Sequence, residues 1–263
     1  MDDDKLYNVF LNNNHSTKQE KILVNYNYNV VESIIKKLGT NKKKIELLEL
    51  GVGKGYFTQA CMIHNQKSDV KINYSAFDRN LDMLENLANF DRKIKTYSGD
   101  LPEIPIKGKK FDVVYCAFVV EHLHNGPEIF ELISNIKKIL NDGGLIVFFT
   151  PNALQQKFEF FNIDYTHHYP TTSRNVAMAF YDCNIMDVHV QKINGLCTYK
   201  GFENPFIRLA HKTIFKLYSY QLFAWIFAPV YRVPLWDLNN FFYRVFCFFK
   251  EENLMFVARY DKK

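Results

Sequence analysis

Three groups of residues in this 263-residue chain have the types and spacing to do chemistry. The first is the stretch I-E-L-L-E-L-G-V-G-K-G, residues 45–55, an apolar run ending at Glu49 that breaks into Gly51, Gly53 and Gly55. Glycine at alternate positions removes the Cβ atoms that would hold a ligand off the backbone. The next segment, Tyr56 to Asn65, lacks Gly and Pro and reads as a helix, so the turn offers free N–H groups at a helix start. That is a small-molecule site. A dinucleotide turn, G-x-G-x-x-G, would need its third glycine where Tyr56 stands, which argues against NAD. The second group is Asp78, at the end of the alternating run Lys71 to Phe77. A carboxylate at a strand tip can accept both hydroxyls of a ribose, or it can cap a following helix over Asn80 to Asn89. The third is rich in histidine: E-H-L-H at Glu121 to His124, and D-Y-T-H-H-Y at Asp164 to Tyr169.

The elements that must position these residues alternate. An apolar run to Glu49, a helix, the strand ending near Asp78, a second helix and a short strand over Ile94 to Tyr97 follow one another at the spacing of parallel strands with crossover helices. Phe111 to Val120 is apolar apart from Asp112 and reads as a central strand buried on both faces, so that Glu121 and His122 stand at its carboxyl tip. Gly126 and Pro127 open a helix whose apolar face is Ile129, Leu132, Ile133, Ile136 and Leu140. Asn141 to Gly144 reads as its stop signal, and Leu145 to Thr150 as strand five. A doubly wound α/β sheet follows, with ligands at the carboxyl ends of its strands. Upstream, Ser16 and Gln19 suggest a capping box before one or two helices that run to Gly39.

The motif E-L-G-V-G-K-G resembles the first motif of class I S-adenosylmethionine (SAM) dependent methyltransferases. S-G-D-L at residues 98–101, E-H-L after strand four and the T-H-H segment extend that resemblance over roughly residues 45–193 and the last strand. It implies a Rossmann-like, doubly wound seven-stranded sheet, parallel except for its last strand, with helices on both faces. It also implies that Glu49, Gly51, Gly53 and Gly55 hold the methionine part of SAM, that Asp78 takes the ribose, and that Asp100 and Leu101 take the adenine amino group and ring. Arg79 and Ala117 join them as cofactor contacts, and S-adenosyl-L-homocysteine is the product. Tyr26 or Tyr28 would reach the cofactor from the N-terminal helices, or else serve as half-buried packing.

The branch resembled methylates quinone precursors, sugars and other small molecules, and the N-P-P-Y type signature of nucleobase and amino N-methyltransferases is missing. The expected acceptor is therefore a hydroxyl of a small metabolite or of a cell-surface glycan precursor, in polysaccharide biosynthesis. Alternatives are an N- or phosphate-directed enzyme with the same cofactor site, or a SAM-binding interaction protein without catalysis. His122 is the first candidate base, because an imidazole titrates near neutral pH, and His167 the second. His168 stands beside it where the family carries T-H-x-H, which leaves the two histidines to be told apart. Their spacing is not a helical i, i+4 pair and no second acid accompanies Asp164, so no metal is expected.

Composition adds bounds. A formal charge of +5 comes from scattered lysines, with Lys42 to Lys44 the only dense cluster, and argues for no nucleic-acid partner. Cys61, Cys116, Cys183, Cys197 and Cys247 stand far apart, which suits a reducing, cytoplasmic setting without a disulfide framework. M-D-D-D-K is acidic where an export signal would be basic. Residues 1–263 are expected to form a single domain, with an N-terminal arm and helices over 1–44. An aromatic insertion over 195–253 lies between strands six and seven. Its longest uncharged apolar run, Leu222 to Val230, falls far short of the roughly 20 residues of a membrane span. It is expected to act as an acceptor-pocket lid, a homodimer surface or a peripheral membrane contact.

Overall fold

The computed structural model describes residues 17–156, 158–194 and 252–262. The expectations for the N-terminal arm, for Ser16 of the capping box and for nearly all of the aromatic insertion lie outside the described residues.

A seven-stranded sheet organises the chain, in the order β3-β2-β1-β4-β5-β7-β6. Its strands are β1 (Lys44–Leu50), β2 (Lys71–Asp78), β3 (Lys95–Ser98), β4 (Phe111–Ala117), β5 (Leu140–Pro151), β6 (Asp187–Asn194) and β7 (Glu252–Tyr260). β1 pairs in parallel with both β2 and β4, whereas β7 runs antiparallel between β5 and β6. β2 and β3 thus lie on one side of β1, and β4 and β5 on the other. The strand order reverses beside β1, which is where open α/β sheets leave a crevice at the carboxyl ends.

Among the described residues, seven α-helical segments accompany the sheet: α1 (Thr17–Leu38), α2 (Tyr56–Lys67), α3 (Leu81–Leu87), α4 (Gly126–Ile139), α5 (Ala153–Gln156), α6 (Glu159–Ile163) and α7 (Ser173–Asp182). Neighbouring strand residues face opposite sides. Val113, Tyr115, Val147 and Phe149 pack with Val30 and Ile34 of α1 and Phe57 of α2, while Val114, Cys116, Ile146 and Phe148 pack with Ile133 of α4 and Phe180 of α7. Burial of this kind contributes about 1.5–3 kcal/mol per large aliphatic or aromatic side chain. The central strands therefore read as continuous apolar runs because both faces are covered.

Two expected boundaries move. The helix over 126–139 does not stop in a loop at Asn141 to Gly144; those residues already belong to β5, through a register shift opposite Phe111 and Val113. Gly143 takes a φ of 71° there, and a Cβ on Gly144 would lie 2.8 Å from the Asn141 carbonyl. The glycines serve a bulge rather than a break. Asp112 pins it, accepting from Lys42 Nζ at 2.6 Å, Asn141 Nδ2 at 2.8 Å and the Glu46 amide at 3.0 Å. β4 also ends earlier than its apolar run: Phe118 adopts a left-handed φ of 56°, so a short 3-10 turn at Val120–His122 carries Glu121 and His122 instead of a strand tip. Of the one or two helices expected upstream, α1 alone lies among the described residues. No described helix is long and apolar enough to cross a membrane.

Candidate functional site

At the carboxyl ends of β1, β2 and β4 lies a cavity of about 460 Å³. Glu49, Gly51, Gly53, Asp78, Arg79, Asp100, Leu101, Ala117 and His122 all line it. Residues from four separate stretches of sequence are thereby brought to one site. Tyr26 lines it too, from α1, whereas Tyr28 does not: the Lys67 ammonium sits over its ring, 4.9 Å from the centroid.

The three glycines have different tasks. All take positive φ, at 79°, 48° and 74°. A Cβ on Gly51 would come within 2.4 Å of Val119 Cγ2, which closes the turn against the segment after β4. Around Gly53 nothing lies within 4 Å of that position, so the space beside it is open to a ligand. Gly55 does not line the cavity; it precedes α2, and a Cβ there would meet Phe90 and Leu87 at 2.6 and 3.1 Å. Its glycine is needed for helix entry and packing, not for ligand approach.

Asp78 ties the turn to β2. Oδ2 accepts from the Val52 amide at 2.8 Å and Oδ1 from the Asn80 amide at 2.9 Å. Burial pushes its pKa up, against the backbone N–H groups of Asn80, Val52 and Arg79. It does not cap the next helix: Asn80 does, accepting from the Met83 amide at 3.1 Å. With three amides on it, the Asp78 carboxylate keeps one further acceptor site. Arg79 pairs with the exposed Asp100 carboxylate at 3.4 Å, on the opposite rim.

Glu49 is buried and its pKa is pushed up to about 8, by burial first and by the nearby Asp78 charge, against a short hydrogen bond donated by Tyr74. Thr58 Oγ1 in turn donates to the Tyr74 oxygen at 2.8 Å. A carboxyl held this way gains most from a cation placed beside it.

At the other end stands His122. Its Nδ1 lies 2.9 Å from Thr166 Oγ1, and that hydroxyl donates to Asp164 Oδ1 at 2.6 Å. With its one proton committed to Asp164, Thr166 can only accept, so His122 carries its proton on Nδ1 and leaves Nε2 bare. Burial, then the neighbouring His167, pushes the His122 pKa down and favours this neutral form. His167 and His168 do not line the cavity. His167 is buried behind His122, ring centres 5.0 Å apart, with Nδ1 at 2.6 Å from the Phe160 carbonyl. His168 is exposed and stacks on His124 at 5.1 Å.

Sequence reasoning passed over the aromatic lining. Phe57 stacks on Tyr115 at 3.8 Å, and both line the cavity beside Phe118. The first two look like core in any sequence, and nothing in an apolar run signals that Phe118 will turn out of the strand.

A family model described as a methyltransferase domain matches residues 24–227. The chain belongs to this family. It is a class I SAM-dependent methyltransferase, and its sheet is the Rossmann-like one that the sequence implied. A SAM-dependent methyltransferase from Archaeoglobus fulgidus superposes with a TM-score of 0.54 at 19% identity, over 89% of this chain and 94% of that one. One from Clostridium acetobutylicum gives 0.55 at 10% identity, over 98% and 97%. The Haemonchus contortus phosphoethanolamine N-methyltransferase 2, in complex with S-adenosyl-L-methionine, gives 0.55 at 15% identity, over 89% of this chain and 53% of that one. At such identities these likenesses speak for the fold. No curated protein sequence matches the methyltransferase.

Proposed function

We propose that this methyltransferase moves a methyl group from SAM to a hydroxyl of a small molecule, a metabolite or the sugar of a glycan precursor, leaving S-adenosyl-L-homocysteine. The observation that carries the reading is His122, which lines the same cavity as the glycine turn and keeps Nε2 free to take a proton. The cavity suits the cofactor: open space beside Gly53, a buried carboxyl at Glu49 poised for an ammonium group, and spare acceptor capacity on Asp78. In this reading Glu49 holds the methionine ammonium and the Gly51–Gly53 backbone lies along its chain. Asp78 takes the ribose hydroxyls. Asp100, steadied by Arg79, meets the adenine amino group, Leu101 covers the ring, and Ala117 contacts the cofactor from the end of β4. Gly55 supports the turn from behind.

Bound SAM supplies a methyl group on a positively charged sulfur. Transfer is an in-line displacement, so the protein has to align the acceptor oxygen and receive its proton. His122 Nε2 receives it, while Thr166 and Asp164 keep the ring in the required tautomer. Phe118, Val119 and Leu123 give this end of the cavity apolar surface, beside the polar side chains of His124 and Glu128. We read residues 1–263 as one domain, with 195–253 as the lid of the acceptor pocket.

Calorimetric titration with SAM and S-adenosyl-L-homocysteine, followed by methyl transfer to a panel of hydroxyl-bearing metabolites, tests the reading. His122→Ala is expected to lower turnover by about 10²–10⁴-fold with SAM affinity unchanged. Binding of SAM with no transfer to any hydroxyl acceptor, and transfer to an amine instead, overturns it.

A further inference from the structure

Behind the acceptor end of the cavity the fold assembles a group that the sequence scatters. Glu121, His122 and His167 each offer one ligand atom, and these atoms lie within 4.8 Å of one another. Glu121 is fully buried, and its Oε1 has no hydrogen-bond partner. Its other oxygen takes the Glu121 backbone N–H and a weak bond from Thr150. Thr150 Oγ1 lies 3.2 Å from Oε2 but only 2.8 Å from Thr171 Oγ1, and Thr171 spends its own proton on the Pro151 carbonyl. Thr150 has a single proton, so Glu121 competes for it with a closer acceptor. A buried carboxyl left short of donors costs stability unless something else binds it.

Both imidazoles are set for that something. His122 gives its Nδ1 proton to Thr166, and His167 gives its Nδ1 proton to the Phe160 carbonyl, an oxygen that can only accept. Each Nε2 therefore holds a free lone pair, and each Nδ1–H is anchored. This is the outer-shell arrangement that orients metal-binding histidines. Two imidazoles and one carboxylate with positions left open suit a divalent ion of the zinc type rather than Mg²⁺ or Ca²⁺, which prefer all-oxygen sites.

We propose that Glu121, His122 and His167 bind a single divalent transition-metal ion at the acceptor end of the methyltransferase cavity. The proposal rests on the reading that the acceptor hydroxyl meets His122. Without an ion His122 takes the acceptor proton; with one, Glu121, His122 and His167 would hold it, and it would supply Lewis acidity to the acceptor hydroxyl, whose proton would pass to water in place of His122. The contraction needed is small, since donor atoms around a four-coordinate ion at about 2.1 Å stand about 3.4 Å apart.

The test uses the full chain, stripped with EDTA and titrated with Co²⁺ by visible absorption, then with Zn²⁺ by displacement and with Mg²⁺ by calorimetry. One Co²⁺ or Zn²⁺ per chain is expected, with a micromolar or tighter dissociation constant and no comparable Mg²⁺ binding. Glu121→Gln and His167→Gln should each weaken Co²⁺ at least tenfold and leave SAM affinity unchanged. The second variant guards against misfolding of the first, and thermal melts followed by circular dichroism check both. A folded parent that takes up neither Co²⁺ nor Zn²⁺, or variants that bind as tightly as the parent, overturn the site. SAM affinity is measured on the same protein, so a chain that takes Co²⁺ but not SAM upholds the metal site and fails the methyl-transfer reading.

Discussion

Thr166 determines which nitrogen of His122 carries the proton: the two side chains meet at 2.9 Å, and the hydroxyl has already given its hydrogen to Asp164 at 2.6 Å. Thr166→Val removes the closer acceptor and leaves Nδ1 only the residue-166 backbone carbonyl, 3.2 Å away, so the ring is held less firmly in one tautomer. We expect turnover to fall by about ten- to a hundredfold, part of the roughly 10²–10⁴ that a positioned base supplies, with the KM for SAM little changed. Thr166→Ser, which restores the hydroxyl, should recover most of the rate. A valine variant that loses stability but keeps kcat would leave Thr166 a packing residue.

Glu49 makes SAM binding depend on pH. Its pKa in the fold, about 8, stands above the ordinary carboxylate value of 4.5. The folded protein therefore holds this proton where the unfolded chain has released it. The stability that depends on it is present below about 4.5 and is lost as pH rises toward 8. An ammonium group from the cofactor needs the ionised form. SAM affinity should thus rise from pH 6 toward 8 and fall again above, where the cofactor's own α-amino group, with a pKa of about 7.7–8.0, loses its charge, while SAM-induced stabilisation grows over the rising range. In Glu49→Gln the rise should vanish and affinity should drop about ten- to a hundredfold. Calorimetry at four pH values decides it, and an unchanged rise in the glutamine variant removes Glu49 from the methionine site.

What the sequence made legible follows from backbone chemistry. The glycine turn, Asp78 and the alternating helices were readable because each needs a residue type with few substitutes at a fixed distance. Asn184 takes a left-handed φ of 58°, as asparagine can, and Ile185 is buried beside it. Phe118 was not readable, since its positive φ is imposed from outside by the backbone bond to Phe149 at 2.8 Å and by the cavity wall. The convergence of Glu121 with His167 was hidden for a related reason. The nearby carboxylate, Asp164, stands three residues before His167 in sequence but spends itself on Thr166, and the carboxylate that does approach comes from beyond β4.

Asp78 accepts from the Val52, Asn80 and Arg79 amides and, in our reading, from the ribose, so its amide analogue should fail twice. Asp78→Asn places an NH₂ group where either the Val52 or the Asn80 amide donates. One donor is then left facing another, at a cost of about 1–3 kcal/mol. SAM affinity should fall at least tenfold, and the melting temperature should fall as well. S-adenosyl-L-homocysteine shares the ribose and should lose affinity equally. A variant that weakens SAM far more than S-adenosyl-L-homocysteine would place Asp78 near the sulfonium instead.

Gly53 offers the sharpest separation of ligand space from backbone strain. Its φ of 48° and the emptiness around its Cβ position are matched at Gly108, which has a φ of 70°, nothing within 4 Å, and no part in the cavity wall. A leucine at either position incurs a similar penalty for a left-handed backbone, about 1–2 kcal/mol. Both Gly53→Leu and Gly108→Leu should therefore fold with lowered melting temperatures of similar size. Only Gly53→Leu also fills space beside the turn, and it should abolish SAM binding where Gly108→Leu leaves it at the parental value. Gly53→Ala, with one methyl group, should fall between them. Equal SAM affinity in the two leucine variants would mean that the cofactor does not lie along this turn, and the assignment of the glycine motif would fail with it.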